Sequence, residues 1–283
     1  MFNASNTNLD LTKPLLLAHR GSSLLAPENT NIAFDLALSH GSDVLEIDVR
    51  LSRDNEVIVT HDATVDRTSN GTGLVARLSL SELKALDAGF RFVDLNNKPY
   101  QGQGAQFITL NELFEHYPDT NINIDIKDNS EEAAKRVADI LIKINEIHRV
   151  NVGSFHASVM HAFRRFAPMI STAATQKEVA KLYAQSWFSK THSVTKLTPS
   201  ANPVAFNALQ IPRNYRGIPL ATKRFIAYTQ SRQIPAMYWT INDPTVMKKL
   251  LGAGAAGIVT DRTDLAAAVF KEHRNRHGTK SGT

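Results

Sequence analysis

The chain contains no cysteine. That absence excludes disulfides, thiolate metal ligands and a cysteine nucleophile, and it leaves the redox compartment open. No apolar run approaches the roughly 20 residues that span a bilayer. The polar opening residues do not resemble a secretory signal, and Leu15 to Ala18 is too short to form its apolar core. A cytoplasmic protein without a transmembrane segment is therefore expected, with contact at a membrane surface left open. Aromatic residues make up only 7%, and no interleaving of basic and aromatic residues marks a nucleic-acid track. Internal repeats and low-complexity tracts are missing too. What the sequence does have is 283 residues, 42% of them hydrophobic, enough for one large core or two ordinary ones. Part of the formal charge of +5 falls in the segment Lys271 to Lys280, and residues 271–283 read as a basic, flexible tail. Net charge bears on solubility and encounter rather than on fold.

Short β-branched runs alternate with helical patterns along most of the chain, the signature of an α/β fold. Strands are expected at Leu15–Ala18, Val44–Val49, Asn121–Ile126, Val150–Ser154, Met169–Thr172, Val204–Asn207, Ile234–Thr240 and Gly257–Thr260. Helices are expected at Asn29–Ser39, Glu131–Ile144, Ala157–Phe166, Gln176–Phe188, Thr222–Ser231, Pro244–Leu251 and Leu265–Phe270. Val57 to Thr60 breaks the alternation, because Leu51 to Glu56 is too short for a parallel crossover and must turn the chain back antiparallel. Setting that hairpin aside leaves eight βα units, the count of a (β/α)8 TIM barrel over residues 14–270. Residues 63–107 form a small insertion after the second barrel strand. Leu83 to Leu86 reads there as a short helix capped by Ser81, and so long an excursion suggests a lid or substrate-contact element.

The chemistry concentrates at strand ends. Glu46 and Asp48 share a face of the second strand, and two like charges there would repel and lose hydration unless a cation neutralised them. The third barrel strand repeats the pattern with Asp125 and Lys127. His19, Arg20 and Gly21 follow the first strand directly, where barrel enzymes place their sites, and Glu28 can orient Arg20. The hairpin returns His61 toward the same end. Two imidazoles beside a cation suit acid–base catalysis. Oxygen donors without soft ligands favour one divalent ion, Mg²⁺ or Ca²⁺. Arg20 and Lys127 supply positive field for an anionic substrate. Trp239 offers an apolar wall, and Asp261 reads as a cap or loop brace.

Together these residues resemble the glycerophosphodiester phosphodiesterase family. The resemblance lies in His19-Arg20-Gly21, Glu28-Asn29-Thr30, Glu46-Ile47-Asp48, His61-Asp62, Asp66-Arg67-Thr68 through Gly71-Thr72-Gly73, Asp125-Ile126-Lys127, Trp239-Thr240-Ile241-Asn242 and Gly257-Ile258-Val259-Thr260-Asp261. It implies a TIM barrel with a small inserted domain that hydrolyses glycerophosphodiesters to glycerol 3-phosphate and an alcohol. His19 and His61 then fall on the acid–base positions, Glu46, Asp48 and Asp125 on metal-ligand positions, Arg20 and Lys127 on phosphate contacts, and Trp239 on a substrate contact. One departure is Asp125, where the family usually has glutamate, which reaches one methylene further. His156, beside Ser154-Phe155, is a further candidate for the site. His61 is expected to protonate the leaving alcohol while another histidine takes a proton from the attacker. That attacker is an internal glycerol hydroxyl, giving a cyclic phosphodiester as in related lipases of this barrel, or water.

Two rival readings stay open at this point. A lysophospholipase D would act on single-chain lipids, for which Phe90, Phe92, Tyr100 and Phe107 of the insertion could line an apolar trough. A non-catalytic barrel would only bind phospholipids or phosphorylated ligands. The sequence offers no basis for an oligomeric state.

Overall fold

The computed structural model describes residues 13–188 and 205–278. In chain order these are β1 (Leu15–His19), α1 (Asn31–Ser39), β2 (Val44–Leu51), β3 (Val57–Val59), α2 (Leu80–Lys84), α3 (Leu110–His116), β4 (Asn121–Ile126) and α4 (Glu131–Lys143). Then come β5 (Val150–Gly153), α5 (Ala157–Phe166), β6 (Ser171–Thr172), α6 (Gln176–Phe188), β7 (Leu209–Pro212), β8 (Asn214–Tyr215) and β9 (Ile218–Pro219). The chain continues through α7 (Lys223–Ser231), β10 (Ala236–Trp239), α8 (Pro244–Gly252), β11 (Gly257–Thr260) and α9 (Thr263–Gly278).

The parallel strands run in the order β6-β5-β4-β2-β1-β11-β10-β7. The ring closes where Ala173 pairs with Ala208: the Asn207 N–H donates to Thr172 O at 2.8 Å and the Ala174 N–H to Ala208 O at 2.9 Å. Eight barrel strands are thus found among the described residues, as the βα count predicts. β3 lies antiparallel on β2, with Val49 opposite Val59, so the short connection does turn the chain back. Helix ends follow local chemistry. Thr30 caps α1 and Asp243 caps α8, where Pro244 occupies the first turn. No helix among the described residues is long and apolar enough to cross a membrane.

Three elements differ from expectation. The sixth barrel strand is Leu209–Pro212, not Val204–Asn207, of which Val204 lies outside the described residues. Leu209 and Ile211 are buried while Gln210 and Pro212 alternate with them, and a glutamine inside the barrel hides the strand from a search for apolar runs. The short insertion helix is Leu80–Lys84, capped by Ser79 in a reciprocal capping box with Glu82 rather than by Ser81. The last helix does not stop at Phe270 but runs to Gly278. Its extension is tied down by Lys248–Glu272 at 2.6 Å and Arg274–Asp43 at 3.1 Å, so the expected flexible tail is helical up to there. Residues 279–283 lie outside the described residues.

The core sits mainly between sheet and helices, with Phe34, Phe163 and Phe270 wholly buried. The barrel interior is more polar. Asn123 accepts hydrogen bonds from Asn151 and Gln210, and Ser171 donates to Asn151 at 3.0 Å. The 63–107 excursion builds a small core of its own from Val65, Val75, Leu83, Ala88, Ala105 and Phe107 against Ile58 of β3.

Candidate active site

The site begins with a sharp turn after β1. Arg20, Gly21 and Ser22 all have positive φ (50°, 79° and 83°). A Cβ on Gly21 would stand 2.5 Å from Phe34 Cδ1 and 2.9 Å from the Ala33 backbone carbon, so only glycine lets α1 pack this close. The turn leaves the Arg20 N–H donating to Glu46 Oε2 at 3.2 Å, and Arg20 Nε 3.0 Å from Asp48 Oδ2.

Asp48 is completely buried. Burial alone would raise its pKa, but Lys127 at 2.8 Å and Arg20 outweigh that and hold it below the usual carboxylate range. Asn29, at positive φ, adds a donor at 3.2 Å. Glu46 accepts the Arg20 N–H, but among the described residues no lysine or arginine side chain pairs with it. Burial, then the Asp48 charge beside it, push its carboxyl up to about 7. Asp125 is raised by burial as well, although Lys127 Nζ lies 2.6 Å from its Oδ2.

Each candidate histidine is held by a carboxylate through Nδ1, which leaves Nε2 for chemistry. His19 Nδ1 is 2.5 Å from Asp261 Oδ1, and its Nε2 is 4.0 Å from Glu46 Oε2. Burial lowers its proton affinity, but the hydrogen bond to Asp261 and the charge of Glu46 outweigh burial and raise it. His61 Nδ1 is 2.6 Å from Asp62 Oδ1. There burial, with Arg20 and Lys127, prevails over Asp48 and Asp62, and the pKa falls. The two imidazoles are thus pushed in opposite directions.

Their supports are mostly residues whose sequence context suggests lesser roles. Asp261 does brace, but what it braces is His19, together with Ser23 and Asn242. Its carboxyl is held down to about 2: burial opposes this, and the bonds from His19, Ser23 and Asn242 prevail. Arg67, from the insertion, grips Asp62 at 2.6 Å and both oxygens of Glu28 at 2.7 Å, while Glu28 holds Arg20 at 3.1 Å. The insertion therefore fixes the His61 and Arg20 arms without lining the cavity itself. His156 is not brought to the site; it sits at the N-terminus of α5 with its N–H on Ser154 Oγ. Its neighbour Phe155 lines the cavity instead.

The cavity measures about 460 Å³. One wall is His19, Arg20, Glu46, His61, Asp125 and Lys127; the other includes Ala173, Val179, Ala180, Tyr183, Ile211 and Leu220. Trp239 and Phe155 meet edge to face between the walls, centroids 5.7 Å apart, with Lys127 Nζ 5.6 Å from the Phe155 ring centre. Phe90, Phe92, Tyr100 and Phe107 take no part in this lining, which corrects the expected trough. Phe107 is spent on the insertion's core, and Phe92 packs on Tyr100.

Among the described residues, no three His, Asp or Glu side chains already surround one ion position. Lys127 bridges Asp48 and Asp125 there. The donor chemistry nevertheless fits a hard divalent cation. Asp125 Oδ1 is buried without a hydrogen-bond partner, and Glu46 is short of positive charge.

Residues 19–265 match the Glycerophosphoryl diester phosphodiesterase family. The chain belongs to this family. It is 31% identical over 255 residues to the glycerophosphodiester phosphodiesterase of Caldanaerobacter subterraneus subsp. tengcongensis, covering 88% of this chain and 94% of that one. It is 30% identical over 268 residues to the enzyme of that name from Bacillus altitudinis, covering 91% and 98%. The crystal structure of glycerophosphodiester phosphodiesterase from Agrobacterium tumefaciens superposes with a TM-score of 0.69 at 28% identity, covering 90% of this chain and 99% of that one. As a member of it, the protein is a glycerophosphodiester-hydrolysing enzyme, which sets aside the non-catalytic barrel.

Proposed function

We propose that this enzyme releases glycerol 3-phosphate and an alcohol by acid–base catalysis between His19 and His61, assisted by one Mg²⁺ or Ca²⁺ ion held by Glu46, Asp48 and Asp125. The observation that carries the reading is geometric: two histidines on one cavity wall, each anchored through Nδ1 by its own carboxylate and flanked by the cations Arg20 and Lys127. The opposite directions in which their surroundings push the two imidazoles then divide the roles of acid and base. His61, lowered, suits the base that takes a proton from the attacking hydroxyl. His19, raised, suits the acid that protonates the departing alkoxide. This exchanges the roles expected from the sequence, where His61 served the leaving group.

Arg20 and Lys127 are locked by carboxylates before substrate arrives, so their field on the phosphate needs little reorganisation. Trp239 would lie along the glycerol carbons. When bound, the divalent ion supplies Lewis-acid polarisation of the phosphoryl group. The glycerol hydroxyl and water both remain as attackers, and the cyclic phosphodiester is the product that separates them.

A panel of glycerophosphocholine, glycerophosphoethanolamine and lysophosphatidylcholine, assayed with Mg²⁺ and Ca²⁺ separately and with EDTA, tests the reading. Glycerol 3-phosphate should appear from the first two substrates with an ion and vanish with EDTA. Turnover indifferent to EDTA would remove the ion from the scheme, and no glycerol 3-phosphate from either substrate would remove the reaction. The apolar wall favours a second reading, lysophospholipase D action. In that case lysophosphatidylcholine would lose choline faster than glycerophosphocholine is cleaved.

A further inference from the structure

From Val179 to Asn242 the sequence holds no aspartate or glutamate, although an even spread of 27 acids over 283 residues would place about six there. The same 64 residues contain eight lysines and arginines. In a chain of formal charge +5, everything outside this stretch is then net −3. Six of the eight cations lie among the described residues: Lys181, Arg213, Arg216, Lys223, Arg224 and Arg232. All but the half-buried Arg232 are exposed.

The fold packs α6, the β8–β9 hairpin and the start of α7 against one another, and these elements carry Lys181, Arg216, Lys223 and Arg224, with Arg213 just before the hairpin; Arg232 caps the far end of α7. Tyr183 of α6 donates to Pro219 O of the β8–β9 hairpin at 3.1 Å, and Tyr215 of that hairpin donates to Gln176 at 3.2 Å. Arg224 of α7 donates to the carbonyls of Ser186 and Trp187 at 2.8 and 2.6 Å and lies over the Trp187 ring. Within this basic frame stand Trp187, Phe188 and Ile218, which are 59%, 88% and 47% exposed. Large apolar side chains this exposed mark a binding surface when they cluster. Tyr183, Tyr215 and Ile218 also line the cavity, so its apolar side opens on the same face.

Charge decides what fits. A symmetric contact with a second copy would set this face against itself, cation on cation. A nucleic acid would meet the cations but gain nothing from Ile218 or from an apolar cavity mouth. An anionic bilayer meets both demands, since its phosphates attract lysine and arginine and its headgroup boundary accepts tryptophan and aliphatic side chains. We propose that the face formed by α6, the β8–β9 hairpin and the start of α7 docks on anionic membranes, with Trp187, Phe188 and Ile218 entering the headgroup boundary. The cavity then opens at the lipid surface. Docking of this kind is independent of which substrate is cleaved and of turnover itself.

Flotation of the full chain with vesicles of phosphatidylcholine, alone or mixed with phosphatidylglycerol, tests it. Binding is expected to the mixed vesicles only and should weaken with salt. The double variant Lys181→Glu, Arg216→Glu should lose roughly fivefold in partitioning for each cation removed, and Trp187→Ser with Phe188→Ser should lose about tenfold or more. Both variants should cleave a water-soluble glycerophosphodiester at the unaltered rate, which shows that they fold. Equal binding to both vesicle types, binding to neither, or variants that bind like the parent would overturn the proposal. So would a dimer in sedimentation that Trp187→Ser and Phe188→Ser dissolve, because the face would then belong to a second copy.

Discussion

The two walls of the cavity are built on opposite principles. On the ionic wall nearly every side chain is held by another: Asp48 by Lys127, Arg20 and Asn29, His19 by Asp261, and His61 by Asp62. The facing wall is mainly alanines, Val179, Tyr183, Ile211 and Leu220, with short two-stranded pieces at its rim. Packing shapes it, with tyrosine hydrogen bonds beside it from Tyr183 to Pro219 O and from Tyr215 to Gln176. The ionic wall can place a phosphate in one position relative to both imidazoles. The apolar wall can only limit the size and polarity of what is attached to that phosphate. On the proposed reading, reaction type and substrate range fall to different strands and should be separable by substitution.

The largest effect should come from the ionic wall. His19→Ala and His61→Ala should each lower kcat by about 10²–10⁴-fold, with circular dichroism and melting temperature near the parent values. Near-parental turnover in either variant would take that residue out of the chemistry. Asp261→Asn should cost less, on the order of tenfold to a hundredfold, and should also move the pH profile. Asp261 raises the His19 pKa, so its loss should lower that pKa. An acid must be protonated to act, so activity should start to fall at lower pH than in the parent enzyme. An unmoved alkaline limb would show that Asp261 does not govern the His19 proton.

A second prediction concerns the charge the ionic wall leaves uncompensated. Glu46 has a folded pKa of about 7, above its ordinary value of 4.5. Its contribution to stability is therefore fully present below pH 4.5 and is lost as pH rises through about 7. A divalent ion at Glu46 and Asp125 would recover that loss only where Glu46 is ionised. The rise in melting temperature on adding Mg²⁺ or Ca²⁺ should thus be a few degrees near pH 8 and much smaller near pH 5, and Glu46→Gln should remove the difference. A shift independent of pH would place the ion elsewhere. Asp125→Glu, which restores the family's usual residue, should tighten the ion if the shorter side chain leaves it under-coordinated.

The same contrast separates what is legible in the sequence from what is not. The barrel and the ionic wall can be read there because each of their residues ends a strand in a short motif: His19-Arg20-Gly21, Glu46-Ile47-Asp48, His61-Asp62 and Asp125-Ile126-Lys127. Their grouping then follows from strand periodicity and from the cost of crowding like charges, and their roles are what the family resemblance implies. Asp261 and Arg67 stand inside recognisable motifs, yet their partners lie 242 and 39 residues away along the chain, so spacing does not reveal them. The apolar wall is where the sequence misleads. Phenylalanines in the insertion are the conspicuous apolar residues, but the insertion needs Phe107 for its own core. Ala173, Ala180 and Ala184 line the cavity because they are small, and small residues leave no signal in a sequence.

Those alanines carry the smallest and most selective prediction. Ala180 and Ala184 face the cavity from successive turns of α6 and are solvent-exposed, so a larger side chain there can be accommodated without breaking the core. Ala184→Phe should fill space that an acyl chain would need while leaving the ionic wall untouched. Turnover of glycerophosphocholine should stay within about twofold, whereas kcat/KM for lysophosphatidylcholine should fall by about tenfold, the scale at which a hydrophobic pocket distinguishes sizes. Equal losses on both substrates would mean that the apolar wall shapes the phosphate position after all, and the division of labour between the two walls would be lost. Unchanged kinetics on both would place the acyl chain along a different path and leave the apolar wall without a part in selection.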